Sequence, residues 1–143
     1  MKNRLKVVLD TNILLVSISS RFEYHWIYEK LLANEYDLFI TNEILMEYEE
    51  IISQKYDIDI SRDVIKALLI LPNVFKISIY YRWNLIKEDV DDNKFVDCAI
   101  NSNSHLLVTN DKHFQILNGI DFPKVQVTNI KDFEEQLKMF QQK

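Results

Sequence analysis

The stretch KVVLDTN, residues 6–12, decides the fold and contains the first candidate functional group. Its four mostly apolar residues predict a buried strand, and the first polar group after that strand is the carboxylate of Asp10. A second apolar run at 105–108 leads in the same way through Thr109 to Asp111. Ligands of open parallel sheets bind at the carboxyl ends of the strands, where the strand order reverses. Two strands that each end at an aspartate therefore indicate a site.

Strand and helix patterns alternate along the chain, which predicts an α/β fold with a central parallel sheet covered by helices on both faces. We expect a single domain over 1–143, without repeats or linkers. The predicted strands are 6–9, 37–41, 74–80, 105–109 and 125–128, and the predicted helices are 24–33, 43–55, 61–71, the segment from the 89–92 break to about 101, 114–117 and 130–140. Thr41 or Asn42 is expected to cap the second of these helices, and Ser61 the third.

Composition excludes several classes of protein. Apolar residues make up 48% of the 143 residues and charged residues 27%, which is typical of a globular protein and not of a disordered one. A single glycine excludes the glycine-rich loops that bind nucleotide phosphates. The net charge of −5 argues against a protein that coats nucleic acid, but not against a nuclease, because metal-binding carboxylates contribute to it.

The sequence only weakly constrains the cellular compartment of the protein. The single cysteine, Cys98, excludes an internal disulfide, and the cytoplasm is the default expectation. No apolar run reaches the roughly 20 residues of a membrane span. The basic start, 1–4, is followed too soon by Asp10 for a signal peptide.

A third acid, Asp92, begins a predicted helix whose apolar residues follow it by three, four and seven positions. This spacing places the Asp92 carboxylate on the face that points to the core. The alternative is an ordinary N-cap or an acid favoured by the helix dipole, and Asp89 or Asp91 could cap equally well.

Periodicity does not identify the fourth acid. Glu47 lies on one flank of the apolar stripe of helix 43–55, and Glu49 lies equally far out on the other flank. The helical wheel therefore does not choose between them.

Several acids in one crevice repel each other unless a cation lies between them. Hard oxygen ligands favour Mg²⁺ or Mn²⁺, which can promote phosphodiester hydrolysis. The neutral residues Asn12 and Thr109 lie beside the acids and could orient a carboxylate, or they are ordinary strand-end turn residues.

Two lysines, Lys94 and Lys112, lie close in sequence to the acids and could contact RNA phosphates, or they are simply solvated. The aromatic run Tyr80–Trp83, which includes Arg82, could stack on nucleobases. An edge strand or a dimer interface explains the same run.

Four motifs together resemble the PIN-domain family, in particular bacterial members described as toxins of toxin–antitoxin modules. They are VVLDTNILL (Val7–Leu15), ITNEILMEYEEII (Ile40–Ile52), DVDDNKFVDCAI (Asp89–Ile100) and LLVTNDKHF (Leu106–Phe114). The resemblance implies a five-stranded sheet in the order 3-2-1-4-5. It also implies a Mg²⁺- or Mn²⁺-dependent endoribonuclease that cleaves single-stranded RNA.

By motif match, the resemblance implies four catalytic acids, Asp10, Glu47, Asp92 and Asp111, and so favours Glu47 over Glu49. Asp10, Asp92 and Asp111 would bind the metal, and Asn12 would support them. A cognate antitoxin and a homodimer are further implications. The alternative hypothesis is a catalytically silent domain of this fold that binds RNA or protein.

Overall fold

The computed structural model describes residues 4–141. Its centre is a parallel sheet with the strand order β3-β2-β1-β4-β5, which confirms the predicted α/β class and the expected order 3-2-1-4-5. The strands are β1 (Lys6–Leu9), β2 (Asp37–Ile40), β3 (Val74–Lys76), β4 (Leu106–Val108) and β5 (Val127–Thr128). Residues 1–3, which belong to the basic start considered above, and residues 142–143 lie outside the described residues.

Helices connect the strands and cover both faces of the sheet, as parallel crossovers require. The α-helices are α1 (Thr11–Ser17), α2 (Trp26–Leu32), α3 (Asn42–Lys55), α4 (Ile58–Ile70), α5 (Asn93–Ser102) and α6 (Ile130–Gln141). Three 3₁₀ helices span Glu23–His25, Val90–Asp92 and Lys112–Gly119. Among residues 4–141, no helix is both long and apolar enough to cross a membrane.

The central strand β1 is buried and pairs with β2 on one side and β4 on the other. Leu9, its last residue, is aligned with Val108, the last residue of β4. The next backbone amide, that of Asp10, donates to the Val108 carbonyl at 3.0 Å. The carboxyl ends of the first and fourth strands therefore lie side by side, as the switch-point prediction requires.

Helix α3 is fixed to this edge of the sheet by Tyr48, which is fully buried. The Tyr48 hydroxyl donates to the Leu9 carbonyl at 2.5 Å, directly before Asp10. Thr41 caps the helix by accepting from the Ile44 amide at 3.2 Å, which selects Thr41 from the two predicted caps. The residue before Tyr48, Glu47, is thereby held close to the end of β1.

Helix α1 has no counterpart among the predicted elements. Its sequence, TNILLVS, is rich in β-branched and apolar residues and directly follows a strand, so propensity gives no helix signal there. Burial of Ile13 and Leu14 in the core stabilises the helix in place of propensity.

Helix α4 begins earlier than predicted, and its predicted cap is wrong. Asp57 caps it by accepting from the Ile60 amide at 2.8 Å. Ser61 is instead fully buried, and its hydroxyl donates to the Glu49 carbonyl at 2.9 Å. The serine therefore links α4 to α3.

Strands β3 and β5 are shorter than the predictions 74–80 and 125–128. The chain leaves β3 after Lys76 and runs beside α5 without forming a ladder. Asp97 accepts from the Trp83 amide at 3.0 Å, and Asn93 exchanges two hydrogen bonds with the backbone of Ile86 at 2.9 and 2.8 Å. Side chains of α5 thus hold the backbone of residues 83–86, which lie beyond the predicted strand.

Candidate active site

Asp10 occupies the N-cap position of α1, but its side chain makes no capping hydrogen bond. Its Oδ2 instead accepts from the Thr109 hydroxyl at 2.7 Å, and the residue is only 6% exposed. Burial raises the pKa of Asp10, and the charges of Asp111 and Glu47 raise it further, against the Thr109 hydrogen bond. The carboxylate is therefore turned toward the other acids at the cost of a helix cap.

Thr109 connects two of the acids through a single oxygen. While its hydroxyl donates to Asp10, the same Oγ1 accepts from the Asp111 amide at 3.0 Å. Asp111 in turn begins the 3₁₀ helix Lys112–Gly119 by accepting from the His113 amide at 2.9 Å. The predicted supporting residue Thr109 thus lies between Asp10 and Asp111.

Asp92 is 9% exposed, in agreement with its predicted position on the core-facing side. It makes no capping hydrogen bond with its side chain, whereas Asp89 caps the preceding 3₁₀ turn by accepting from the Asp91 amide at 3.2 Å. The capping alternative therefore applies to Asp89 and not to Asp92.

The electrostatic surroundings of Asp92 are strongly unfavourable to its charge. Burial raises the pKa of Asp92 to about 7, and the negative charges of Asp89, Asp111 and Asp10 add to the shift, while His113 opposes it. Its Oδ2 is buried and has no hydrogen-bond partner among residues 4–141. A cation beside Asp92 would remove both penalties.

Glu47 joins this group from α3, whereas Glu49 is exposed. Both oxygens of the Glu47 carboxylate are hydrogen-bonded. Oε2 accepts from the Thr11 hydroxyl, and Oε1 accepts from the Lys94 ammonium at 2.6 Å. The structure thus brings Glu47 to the site, as motif matching implied, with a lysine as its direct partner.

The other predicted residues lie around this centre. Asn12 is exposed on the first turn of α1, and Lys112 is exposed beside Asp111. Lys94 is largely buried by its ion pair with Glu47, its side chain being 14% exposed. Contact of either lysine with RNA stays a prediction.

The aromatic run Tyr80–Trp83 lies outside the acidic centre. Tyr80 is 89% exposed, and the rings of Tyr81 and Trp83 meet edge to face at 4.7 Å. Trp83 also meets Phe122 at 6.1 Å. Because no ladder forms here, the edge-strand interpretation of this run is wrong.

His113 also lies at this site, although the sequence did not predict it. Its Nδ1 lies 3.3 Å from Asp111 Oδ1 and 3.7 Å from Asp92 Oδ2. The sequence likewise did not predict Thr11 as the partner of Glu47. The available signals were positional, since His113 follows Asp111 by two residues in a strand-end loop and Thr11 follows Asp10 directly.

Asp92, one of the three predicted metal ligands, belongs to a group of side chains that could share a divalent cation. Within residues 4–141, no lysine or arginine lies within ion-pair distance of Asp10, Asp92 or Asp111. Among residues 4–141, the side chains whose ligating atoms lie within 4.8 Å of one another are Asp89, Asp92 and His113, a group that contains the predicted ligand Asp92 but neither Asp10 nor Asp111. Carboxylates that lie together without a lysine or arginine partner are typical of metal sites.

Comparison with known proteins agrees with the fold. Residues 6–113 match the family model described as PIN domain. The match contains all four acids and the residues that contact them. No curated protein is significantly similar in sequence.

Solved structures of similar fold include three bacterial VapBC or VapC proteins. VapBC2 from Rickettsia felis, bound to a promoter DNA fragment, is 21% identical, with 87% of this chain and 98% of that chain covered at a TM-score of 0.61. DNA-bound VapBC from Salmonella typhimurium is 18% identical, with 87% and 98% covered at 0.60. VapC20 from Mycobacterium tuberculosis, described as a sarcin-ricin loop cleaving toxin, is 11% identical, with 76% and 92% covered at 0.57.

Proposed function

The chain belongs to the PIN-domain family, and we propose that it is a divalent-metal-dependent endoribonuclease that cleaves single-stranded RNA. One observation carries the proposal. Asp10, Asp92 and Asp111 come from three separate segments, and they have no lysine or arginine partner within residues 4–141. The charge of Asp111 raises the pKa of both Asp10 and Asp92, in addition to the effect of burial. Such mutual repulsion is relieved by a bound cation.

In the proposed enzyme, Asp10, Asp92 and Asp111 hold Mg²⁺ or Mn²⁺. These residues would thereby give the site the chemistry that a divalent cation supplies when bound, which is activation of water and stabilisation of the leaving oxygen in phosphodiester hydrolysis. Thr109 orients the Asp10 carboxylate through its 2.7 Å hydrogen bond. Outer hydrogen bonds of this kind fix a ligand's direction and tune its affinity for the metal.

Glu47 is the fourth catalytic acid of the proposal. Thr11 and Lys94 fix both of its oxygens, so its position does not depend on the metal. Lys94 also supplies a positive charge at the centre of an acidic site, which lowers the repulsion that an RNA phosphate would meet there. We assign Lys94 this role, with phosphate contact as a second one.

RNA is the proposed substrate for two reasons. VapC20, which shares the fold, is described as cleaving the sarcin-ricin loop. In addition, Lys112 is exposed directly beside Asp111, where an ammonium group can bind a phosphate of the strand. Asn12 on α1 is the proposed neutral contact at the same edge.

A toxin role follows from the same relatives. Two of them are VapBC proteins, so we propose that a cognate antitoxin binds this chain in the cytoplasm and inhibits it. Expression without the antitoxin should stop bacterial growth, and Asp10→Asn should abolish that effect. We also propose a homodimer, which light scattering on the purified protein would test.

The direct test is cleavage of end-labelled RNA. Wild type should cut a single-stranded oligonucleotide with Mg²⁺ or Mn²⁺ and stop in EDTA. Asp10→Asn should lose at least about 100-fold, because removing even an outer-shell partner costs 10- to 100-fold in affinity or activity. The matched control is Glu49→Gln, an exposed acid two residues from Glu47, and it should retain activity.

The outcomes separate the alternatives. Equal cleavage by wild type and Asp10→Asn would indicate contamination and contradict the proposal. Binding of RNA without cleavage by folded, metal-loaded wild type would favour the silent binding module. Faster turnover of phosphate monoesters than of oligonucleotides would indicate a small-molecule phosphohydrolase.

A further inference from the structure

We propose that a cavity at the carboxyl ends of β4 and β5 binds one guanine base of the RNA strand, and that Asn129 and Asp132 recognise this base. The cavity has a volume of about 240 Å³, and its lining includes Thr109, Asn110, Asp111, Asn118, Asn129 and Asp132. Pockets for drug-sized ligands have volumes of about 300–1,000 Å³, so this smaller cavity suits a single base. The inference rests on the proposed function, because it names the base that the proposed nuclease selects.

The cavity adjoins the proposed catalytic acids. Thr109 lines it and donates to Asp10 Oδ2 at 2.7 Å, and Asp111, a proposed metal ligand, lines it as well. The 3₁₀ helix Lys112–Gly119 and the first turn of α6 supply further lining residues. A base in this cavity therefore belongs to a nucleotide beside the proposed point of cleavage.

A buried hydroxyl group points to a polar ligand in this cavity. Thr128, the last residue of β5, is 7% exposed and lines the cavity. Its hydroxyl has no hydrogen-bond partner within residues 4–141, and the same holds there for the side-chain amides of Asn110 and Asn118. Buried polar groups are normally hydrogen-bonded. The lining thus offers several groups to a ligand that can both donate and accept.

The N-cap of α6 prepares one donor group and one acceptor group for that ligand. Asn129 Oδ1 accepts from the Asp132 amide at 2.8 Å, which uses the oxygen of the asparagine and leaves its amide nitrogen available as a donor. The Asp132 carboxylate makes no hydrogen bond or ion pair with other residues of the described chain, and it can only accept. The two side chains lie on one turn, so both can contact the same base.

These groups match guanine better than the other three bases of RNA. The Watson–Crick edge of guanine carries a carbonyl oxygen beside two adjacent N–H groups, which suit an amide donor and a carboxylate. Adenine and cytosine have an amino group without a ring N–H beside it, and uracil has no amino group. The negative charges of Asp111 and Asp132 also disfavour a phosphate in the cavity, whereas a base is neutral.

A second cavity supports a strand as the occupant, as opposed to a free nucleotide. It has a volume of about 440 Å³ and shares Asn110 and Asn129 with the first cavity. Its lining includes Tyr24, Trp26 and Lys131. Aromatic rings stack on bases and lysines bind phosphates, so the next nucleotide of a single strand can continue there.

The first test is a nucleoside titration of ¹⁵N-labelled wild type in EDTA, followed by nuclear magnetic resonance. Guanosine should shift the side-chain amide signals of Asn118 and Asn129, inosine, which lacks the amino group, should shift them less, and uridine should leave them unchanged. The internal control is Asn73, which is 2% exposed and donates to the carbonyls of Leu31 and Tyr36. Its signal should not move with any nucleoside.

The second test measures binding of oligouridine that carries one guanosine, by fluorescence anisotropy with Asp10→Asn protein. The guanosine should tighten binding about 10-fold over plain oligouridine, and Asp132→Asn should remove this preference. Glu135→Gln is the matched control, because it removes a negative charge from the same helix at an exposed residue outside both cavities. It should keep the preference.

Other results would overturn the inference. Amide signals that do not respond to guanosine, equal binding of both oligonucleotides, or a preference that survives in Asp132→Asn would each do so. Guanosine that binds as tightly as the oligonucleotide would indicate a site for free nucleotides, and a cavity that binds a tri-arginine peptide but not guanosine would indicate a basic protein segment. The titration uses wild type, so it decides the question even if Asp132→Asn does not fold. Neither assay requires cleavage, so failure of the nuclease proposal and failure of the guanine site are distinguishable.

Discussion

The Thr109 hydroxyl donates to Asp10 Oδ2 at 2.7 Å, across the boundary between the first and fourth strands. The two residues are 99 positions apart in sequence, and each directly follows the end of its own strand. The same hydroxyl oxygen accepts from the Asp111 amide at 3.0 Å. One threonine therefore determines how two of the proposed metal ligands face each other.

Replacing Thr109 should show whether its hydroxyl positions the Asp10 carboxylate or only contributes to the fold. Thr109→Val removes the hydrogen bond that lowers the pKa of Asp10, so that pKa should rise. The acidic limb of the pH–rate profile for RNA cleavage should move to higher pH, and activity should fall about 10- to 100-fold. Thr109→Ser keeps the hydroxyl and should restore the wild-type profile. An unchanged profile in Thr109→Val would contradict the positioning role.

The Lys94–Glu47 pair should stabilise the metal-free protein. Lys94→Met leaves the half-buried Glu47 carboxylate without its 2.6 Å partner, and we expect a loss of about 1–3 kcal/mol in the free energy of unfolding. Urea unfolding in EDTA would measure this loss. Adding Mg²⁺ should recover part of it, because a cation that binds only the folded state stabilises that state. Lys112→Met, at an exposed lysine, is the control and should leave stability unchanged.

Stability of the metal-free protein should depend on pH through Asp92. The pKa of its carboxyl is about 7 in the folded protein against an ordinary value of 3.8, because of burial and the charges of Asp89, Asp111 and Asp10, partly offset by His113. Between about pH 4 and pH 7, the folded state therefore holds a proton that the unfolded chain has released. The contribution of Asp92 to the free energy of unfolding is fully present below about pH 4 and is lost as the pH rises to about 7.

The measurement is the free energy of unfolding of wild type and Asp92→Asn at several pH values in EDTA. The asparagine variant lacks this titration. Its free energy of unfolding relative to that of wild type should therefore increase by on the order of a few kcal/mol between pH 4 and pH 8. A difference between the two proteins that stays constant over this range would show that Asp92 titrates normally.

Contact of Lys112 with RNA is testable through salt dependence. Using Asp10→Asn to prevent cleavage, Lys112→Ala should weaken binding of single-stranded RNA and reduce the slope of log K against log salt by about 0.7. Lys66→Ala removes an equally exposed charge on α4 and should change neither quantity. Identical slopes for both variants would remove Lys112 from the proposed interface.

The sheet was predictable because the signals that define it are local. The apolar runs at β1 and β4 each end at an acid, and this pattern alone indicated where the site would form. The strand order came from the family resemblance, and the structure confirms it. Helix α1 was not predictable, because its β-branched sequence carries no helix signal and its stability comes from tertiary contacts such as the burial of Ile13 and Leu14.

Contacts between distant segments account for the remaining misses. Strand β3 ends at Lys76, and the backbone further along the chain, at Trp83 and Ile86, donates to the side chains of Asp97 and Asn93 on α5. Likewise, Lys94 carries no sequence signal that it pairs with Glu47 on another helix. Periodicity places a side chain on a face of its own element but does not identify its partner.

The most direct measurement of the central claim is anomalous diffraction from crystals soaked in Mn²⁺. We predict a peak bonded to side-chain oxygens of Asp10, Asp92 and Asp111 in wild type, and its loss in Asp10→Asn. A folded, Mn²⁺-saturated crystal with no peak among these three carboxylates would contradict the account.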